Sequence, residues 1–119
     1  MVSRDYNTVT KAITVAATAG GASGDVLYTA PYKFDTEIDF LHVTNGANST
    51  KNITIQWYHA DTNTYHTILN NKSIAGNDTY DLVSTILYLH SGDKIVCHDP
   101  ASGGCEVILS GKEFFNLTR

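Results

Sequence analysis

One stretch of this chain, NITIQWYH at positions 52–59, constrains its fold more than any other. Ile53, Ile55 and Trp57 alternate with polar side chains, and strict alternation is the period of a β-strand with one buried face. An indole side chain needs protein on both sides to leave water, so a second layer must cover this strand. The stretch therefore predicts one strand of a sandwich, with Trp57 in the core.

Further strands are predicted on both sides of this stretch, between turns rich in Gly, Asn, Asp and Pro. Residues 36–44 begin with an alternation that predicts Ile38 and Phe40 in the core, and then become apolar on both faces. The closing strand is expected to bury Val107 and Leu109. The closing strand is predicted at 105–110. The other predicted strands are 13–18, 26–29, 64–69, 79–83, 86–89 and 94–98.

The composition favours strands over helices, because Asn, Thr, Ser and Gly are abundant while Glu, Gln, Arg and Met are scarce. A chain of 119 residues has the size of one domain. Short strands at regular spacing predict an all-β fold, a single antiparallel β-sandwich or jelly-roll-like domain. Residues 12–119 are assigned to this domain, and the polar residues 1–11 to an N-terminal arm.

An aromatic segment lies close to the end of the sequence, where Phe114 and Phe115 are followed by Leu117. Adjacent residues of a strand point to opposite faces, so both phenylalanines cannot face one core. One of them is expected to contact another chain, which favours a homo-oligomer or a docked partner. Together with Tyr6 of the arm, these three residues form the predicted interface.

The charge pattern limits the classes of partner. The formal net charge is −4 and the lysines are scattered singly, so no nucleic-acid partner is expected. No apolar run could span a bilayer and the first residues do not resemble a signal peptide, so we expect no membrane partner and synthesis in a cytoplasm. Cys97 and Cys105 are then expected as thiols, although a cross-strand disulfide is conceivable in an oxidising medium.

The residues that could carry chemistry form no strong motif. His59 and His66 flank one predicted turn and, with Asp61, could hold a divalent ion, but structural zinc normally has four closely spaced ligands. Glu37 and Asp39 share a strand face, which is more typical of an exposed acidic surface than of an acid–base pair. Neither a strained serine elbow nor a phosphate loop is present. We therefore expect no enzyme activity, metal or cofactor.

Six segments, taken in order, resemble small structural proteins from the particles of tailed bacteriophages, especially marine phages. The segments are VLYTAP at 26–31, HVTN at 42–45, ITIQWY at 53–58, SIAGN at 73–77, LHSGDKI at 89–95 and VILS at 107–110. The resemblance implies a β-sandwich that coats, plugs or joins parts of a virion assembled in the host cytoplasm, with other virion proteins as partners. A capsid decoration or cement protein that binds neighbouring shell subunits is the expected role.

Two alternatives to decoration remain. A neck or tail subunit, whether ring, adaptor or fibre-associated, would agree with the same resemblance. A carbohydrate-binding sandwich would use exposed tyrosines around the Asp61 turn, since aromatic rings suit sugar contacts as well as protein contacts.

Overall fold

The structure is a computed structural model that describes residues 6–16, 20–82, 87–101 and 103–116. In these ranges the chain forms two antiparallel sheets that pack face to face. No helix in the same ranges is long and apolar enough to cross a membrane. The strands are β1 (Tyr6–Thr14), β2 (Asp25–Thr29), β3 (Phe34–Asn45), β4 (Lys51–His59), β5 (Thr64–Ile74), β6 (Asp78–Asp81), β7 (Leu87–Leu89), β8 (Lys94–His98) and β9 (Glu106–Phe115).

The strand order is that of a jelly roll. One sheet has the order β1-β9-β3-β6, with β7 also paired to β3, and the other has the order β2-β8-β4-β5. Because β6 and β7 pair with different parts of β3, they form two pieces of one edge strand. Counted in this way, the two sheets have the arrangement of two wrapped Greek keys. The predicted all-β sandwich is confirmed.

The structure differs from the prediction in the extent of the first and last strands. Residues 6–11, assigned to an arm, belong to β1, which pairs with β9 from Tyr6 opposite Phe114 to Thr14 opposite Glu106. β1 is an edge strand and largely exposed, which explains why polar residues occur on both of its faces. β9 continues to Phe115, whereas the prediction ends the strand at residue 110. Residues 1–5 of the predicted arm lie outside the described ranges.

Most of the predicted core residues are buried between the two sheets. These residues are Ile38, Ile53, Ile55, Val107 and Leu109. Trp57 packs against this core but is only partly buried. Phe40 does not face the core as predicted, since 39% of its surface is exposed.

A β-bulge in β3 explains the position of Phe40. Ile38 pairs with Gly111 but Phe40 pairs with Ser110, so one residue of β3 is left without a partner in β9. The extra residue reverses the alternation, because successive side chains point to opposite faces. Core positions of β3 are therefore even-numbered before the bulge and odd-numbered after it.

A buried carboxylate, that of Asp93, joins three segments at one end of the sandwich. Its oxygens accept hydrogen bonds from Trp57 Nε1 at 3.1 Å, the Ala60 amide at 2.9 Å and the His90 amide at 3.0 Å. Trp57 lies on β4, Ala60 follows β4, and His90 follows β7. The carboxylate thus fixes the β4–β5 turn, the β7–β8 turn and the indole ring together.

Cys97 and Cys105 are both buried and neither forms a disulfide. Burial, followed by the negative charge of Asp25, raises the pKa of the Cys97 thiol to about 12. Burial also raises the pKa of Cys105, with Asp99 adding to this effect. Since the thiolate is the reactive form, both side chains should be inert in the folded protein.

We therefore expect neither cysteine to react with Ellman's reagent in the native protein at about pH 8, and both to react in denaturant. The absorbance of the released thiol reagent gives the number of reactive groups. A Cys97→Ala variant should release one equivalent in denaturant where the unmodified protein releases two. Rapid release of one equivalent from the native protein would contradict the burial of these side chains.

Candidate interaction surface

The sheet formed by β1, β9, β3, β6 and β7 has one face that points away from the core. We call this surface the outer face. Strand register arranges its side chains in rows that cross the sheet. The rows contain Tyr6, Phe114 and Asp35; Thr8, Lys112, Glu37 and Tyr88; Thr10, Ser110 and Phe40; Ala12, Ile108, His42 and Asp81; and Thr14, Glu106, Thr44 and Thr79.

Aromatic side chains are prominent on the outer face. Tyr88 is 59% exposed and Phe40 is 39% exposed. The Phe40 ring stacks on His42 with a centroid distance of 5.9 Å, and Tyr6 and Phe114 pack together at 5.5 Å. Large exposed apolar groups on one face of a regular sheet are typical of a protein contact surface.

The outer face is also acidic. Five carboxylates belong to it, whereas Lys112 is its only lysine among the described outward positions. The five acidic residues are Asp35, Glu37, Asp39, Asp81 and Glu106. With His42 neutral, this face has a net charge of −4, equal to that of the whole chain.

Three of these carboxylates have basic partners, and one of the partners is His90, whose Nδ1 lies 3.2 Å from Asp35 Oδ1. The ammonium of Lys112 donates to Asp39 Oδ2 at 3.1 Å, and this hydrogen bond, together with the negative charges of Asp39 and Glu37, raises the pKa of Lys112. The imidazole of His42 contacts the carboxylate of Asp81. Surface pairs of this kind position side chains more than they stabilise the fold.

The predicted interface residues divide between two places. Tyr6 and Phe114 lie on the outer face, while Phe115 has the opposite orientation and packs against Phe34 at 5.5 Å, with 53% of its surface exposed. Leu117 lies outside the described residues. The adjacent phenylalanines therefore point to opposite sides of β9.

Phe40 was not recognised from the sequence as a surface residue. A signal for Phe40 was available, because the apolar positions Ile38, Leu41 and Val43 are separated by three and then two residues. That spacing is typical of a strand interrupted by one extra residue. The position of Tyr88 beside Glu37 had no comparable signal, since these residues meet only through the pairing of strands that are distant in sequence.

The edges of both sheets carry features that disfavour pairing with another strand. Lys11 occupies an inward position of β1, opposite Leu109. Two register shifts interrupt β5, where Asn71 has a positive φ of 49° and donates its amide to Thr54 Oγ1 at 2.8 Å. β2, the other edge of the β5 sheet, contains a register shift. The remaining edge, opposite β1, is divided into the short strands β6 and β7. Such features favour association through faces or ends.

The β4–β5 hairpin contains the histidines of the predicted metal hypothesis. His59 and His66 both contact the Trp57 ring, at centroid distances of 4.9 and 5.0 Å. Asp61 does not join them, and the described part of the chain has no group of three or more His, Cys, Asp or Glu side chains that could hold a metal ion. The hairpin is thus an aromatic cluster around the indole.

The opposite face of the same hairpin carries a pair of tyrosines. The rings of Tyr58 and Tyr65 are 4.8 Å apart at an interplanar angle of 46°, and Lys94 Nζ lies 5.5 Å from the Tyr58 centroid. The Tyr58 hydroxyl donates to Asn63 in the adjoining turn. The pair offers a smaller aromatic surface beside amide and ammonium donors.

The jelly roll supports many unrelated functions, so the surface has to carry the functional argument. No protein-family model matches this chain, and a search of curated proteins finds no significant match.

Proposed function

We propose that this protein is a structural component of a bacteriophage particle, specifically a capsid decoration protein that binds neighbouring shell subunits. The outer face is the observation that carries the proposal, because Phe40 and Tyr88 are exposed on a sheet whose strands are hydrogen-bonded to one another. A contact surface already held in place loses little conformational freedom on binding. The six segments that resemble small virion proteins suggest the class of partner.

The features of the strand edges support docking through this face. A decoration protein must attach at high density without polymerising on its own. Lys11 on β1 and the register shifts in β5 disfavour the addition of a further strand at one edge of each sheet. Attachment through side chains of the outer face avoids this hazard.

Contact between copies of the chain would use a different surface. Phe115 and Phe34 form an exposed aromatic pair at the end of the sandwich, on the other side of β9 from Phe114. An aromatic pair in this position suits a small interface at the centre of a homo-oligomer. The proposal therefore assigns the outer face to the shell and the Phe34–Phe115 end to a second copy.

A neck or tail protein would use the same surfaces but would be present in a different number of copies per particle. A decoration protein occurs in a copy number comparable to that of the shell protein, whereas a neck or tail ring contains only a few copies. Quantitative mass spectrometry of purified particles, relative to the major shell protein, separates these roles.

Glycan binding is a second candidate function, favoured by the Tyr58–Tyr65 pair beside Lys94 and Asn63. Aromatic rings with nearby donors are suited to stacking and hydrogen bonding with a sugar. Changes in tyrosine or tryptophan fluorescence across a glycan panel test this candidate, with a Tyr58→Ala variant as the control.

The decisive experiment compares two variants during particle assembly in infected cells. Phe40→Ser combined with Tyr88→Ser removes exposed aromatic groups from the outer face and should reduce the copy number per particle at least tenfold. Ile68→Ser is the matched control, because Ile68 is an exposed apolar residue on β5. This control should be incorporated normally, and thermal melting should give the same fold stability for all three proteins.

Two results would overturn the proposal. Absence of the unmodified chain from purified particles would exclude a virion role. Normal incorporation of the Phe40/Tyr88 double variant would exclude the outer face as the attachment surface.

A further inference from the structure

We infer that the outer face docks a basic segment of its partner, one that presents Arg or Lys side chains. The inference rests on the proposed function and specifies the chemistry of the shell contact. The carboxylates and aromatic rings of the outer face carry the argument together.

The negative charge of the outer face indicates that the partner is positively charged where it binds. Five carboxylates share the outer face with Lys112, and three of them, Asp39, Asp81 and Glu106, are on exposed residues. Glu37 stands beside Lys112 in the same row, so one ammonium serves two nearby carboxylates. A surface with this excess of negative charge attracts cationic groups and repels anionic ones.

The aromatic residues define where a cation would bind. Tyr88 pairs directly with Glu37 across β7 and β3, which places an exposed ring beside a carboxylate. Phe40 lies on the same strand as Glu37, beyond the bulge, and its ring stacks on His42. An Arg guanidinium can stack on an aromatic ring while it donates to a carboxylate, so this juxtaposition favours Arg over an apolar side chain.

A second copy of the chain is a poor occupant of this surface. In a symmetric dimer formed through the outer face, each acidic surface would meet the same acidic surface. Opposed carboxylates cost free energy, and the basic side chains described at this face, Lys112, His42 and His90, are already paired with its own carboxylates. The partner is therefore a different protein with positive charge at the contact.

The test measures binding of an oligoarginine peptide by fluorescence anisotropy at low salt and maps its site by NMR of backbone amides. An oligoglutamate peptide of equal length is the probe control. Glu37→Gln combined with Glu106→Gln removes two charges from the outer face. Asp61→Asn combined with Asp78→Asn makes the same change in net charge elsewhere, since Asp61 lies in the hairpin turn and Asp78 pairs opposite the inward residue Asn45.

We expect oligoarginine to perturb amides of β1, β9, β3 and β7, and oligoglutamate to leave them unchanged. The Glu37/Glu106 variant should bind about fivefold more weakly, and the Asp61/Asp78 variant should bind as the unmodified protein does. Equal weakening in the two variants, or perturbations confined to the β4–β5 hairpin, would overturn the inference.

The same variants separate this inference from the proposed function. If particles incorporate the unmodified chain and the Glu37/Glu106 variant equally well, the virion role stands and the basic partner is excluded. If particles lack the chain while oligoarginine binds the outer face selectively, the virion role fails and the basic docking surface stands.

Discussion

Replacement of Gly111 by alanine is expected to destabilise the fold by about 3 kcal/mol, near the upper end for overpacking. A Cβ atom at this position would lie 2.0 Å from the carbonyl oxygen of Glu37, a backbone atom that cannot rotate away. β9 and β3 would have to separate at the bulge, in the middle of their shared ladder. The new methyl group would thus disturb the pairing that positions Phe40.

Thermal and urea unfolding measure this effect, and the melting temperature should fall by roughly 10 °C or more. Gly46→Ala is the matched control, because no atom lies within 4 Å of the position of its Cβ. That variant should be neutral or slightly stabilised, since alanine restricts the unfolded chain. A Gly111→Ala protein that melts close to the unmodified protein would show that the bulge tolerates a side chain.

Replacement of Asp93 by alanine is the second large expected effect, a loss of about 2–4 kcal/mol. The change leaves three donors, Trp57 Nε1 and the amides of Ala60 and His90, without their acceptor. Because Trp57 is the only tryptophan, its fluorescence reports directly on this end of the sandwich. The emission maximum should shift to longer wavelength as water reaches the indole.

A graded comparison separates lost hydrogen bonds from lost packing. Asp93→Asn keeps one carbonyl acceptor and should be intermediate in stability between the unmodified protein and Asp93→Ala. Asp78→Ala is the control, because Asp78 is exposed and does not take part in these hydrogen bonds. This variant should melt at nearly the same temperature as the unmodified protein. If Asp93→Ala melts like Asp78→Ala and its emission is unchanged, the carboxylate does not hold the turns together.

Sequence reasoning identified the sandwich because alternation is a local property. Ile53 and Ile55 follow the period of a half-buried strand and are buried as predicted. The prediction for Phe40 applied the same rule and failed, because one extra residue lies between Ile38 and Leu41 and reverses the alternation. Periodicity thus predicts which side chains of a strand face the core only up to the point where a bulge inserts an extra residue.

The candidate surface was less accessible to sequence reasoning than the fold. Tyr6 and Phe114 were assigned to an interface, but their contact depends on the β1–β9 register and could not be derived from either residue alone. Tyr88 joins Glu37 only through pairing of β7 with β3. The acidic character of the outer face likewise required the register of four strands, because no local run of carboxylates indicates it.

The place of β9 between β1 and β3 determines when this protein can fold during synthesis. β1 is translated first, yet its sheet neighbour is the last described strand to leave the ribosome. Until residues 106–115 emerge, β1 and β3 cannot belong to one sheet, and Ile38, Leu41 and Val43 lack Val107 and Leu109 beside them. The sheet is therefore completed only after β9 has been synthesised, and its dependence on pairing between distant parts of the chain favours slow folding.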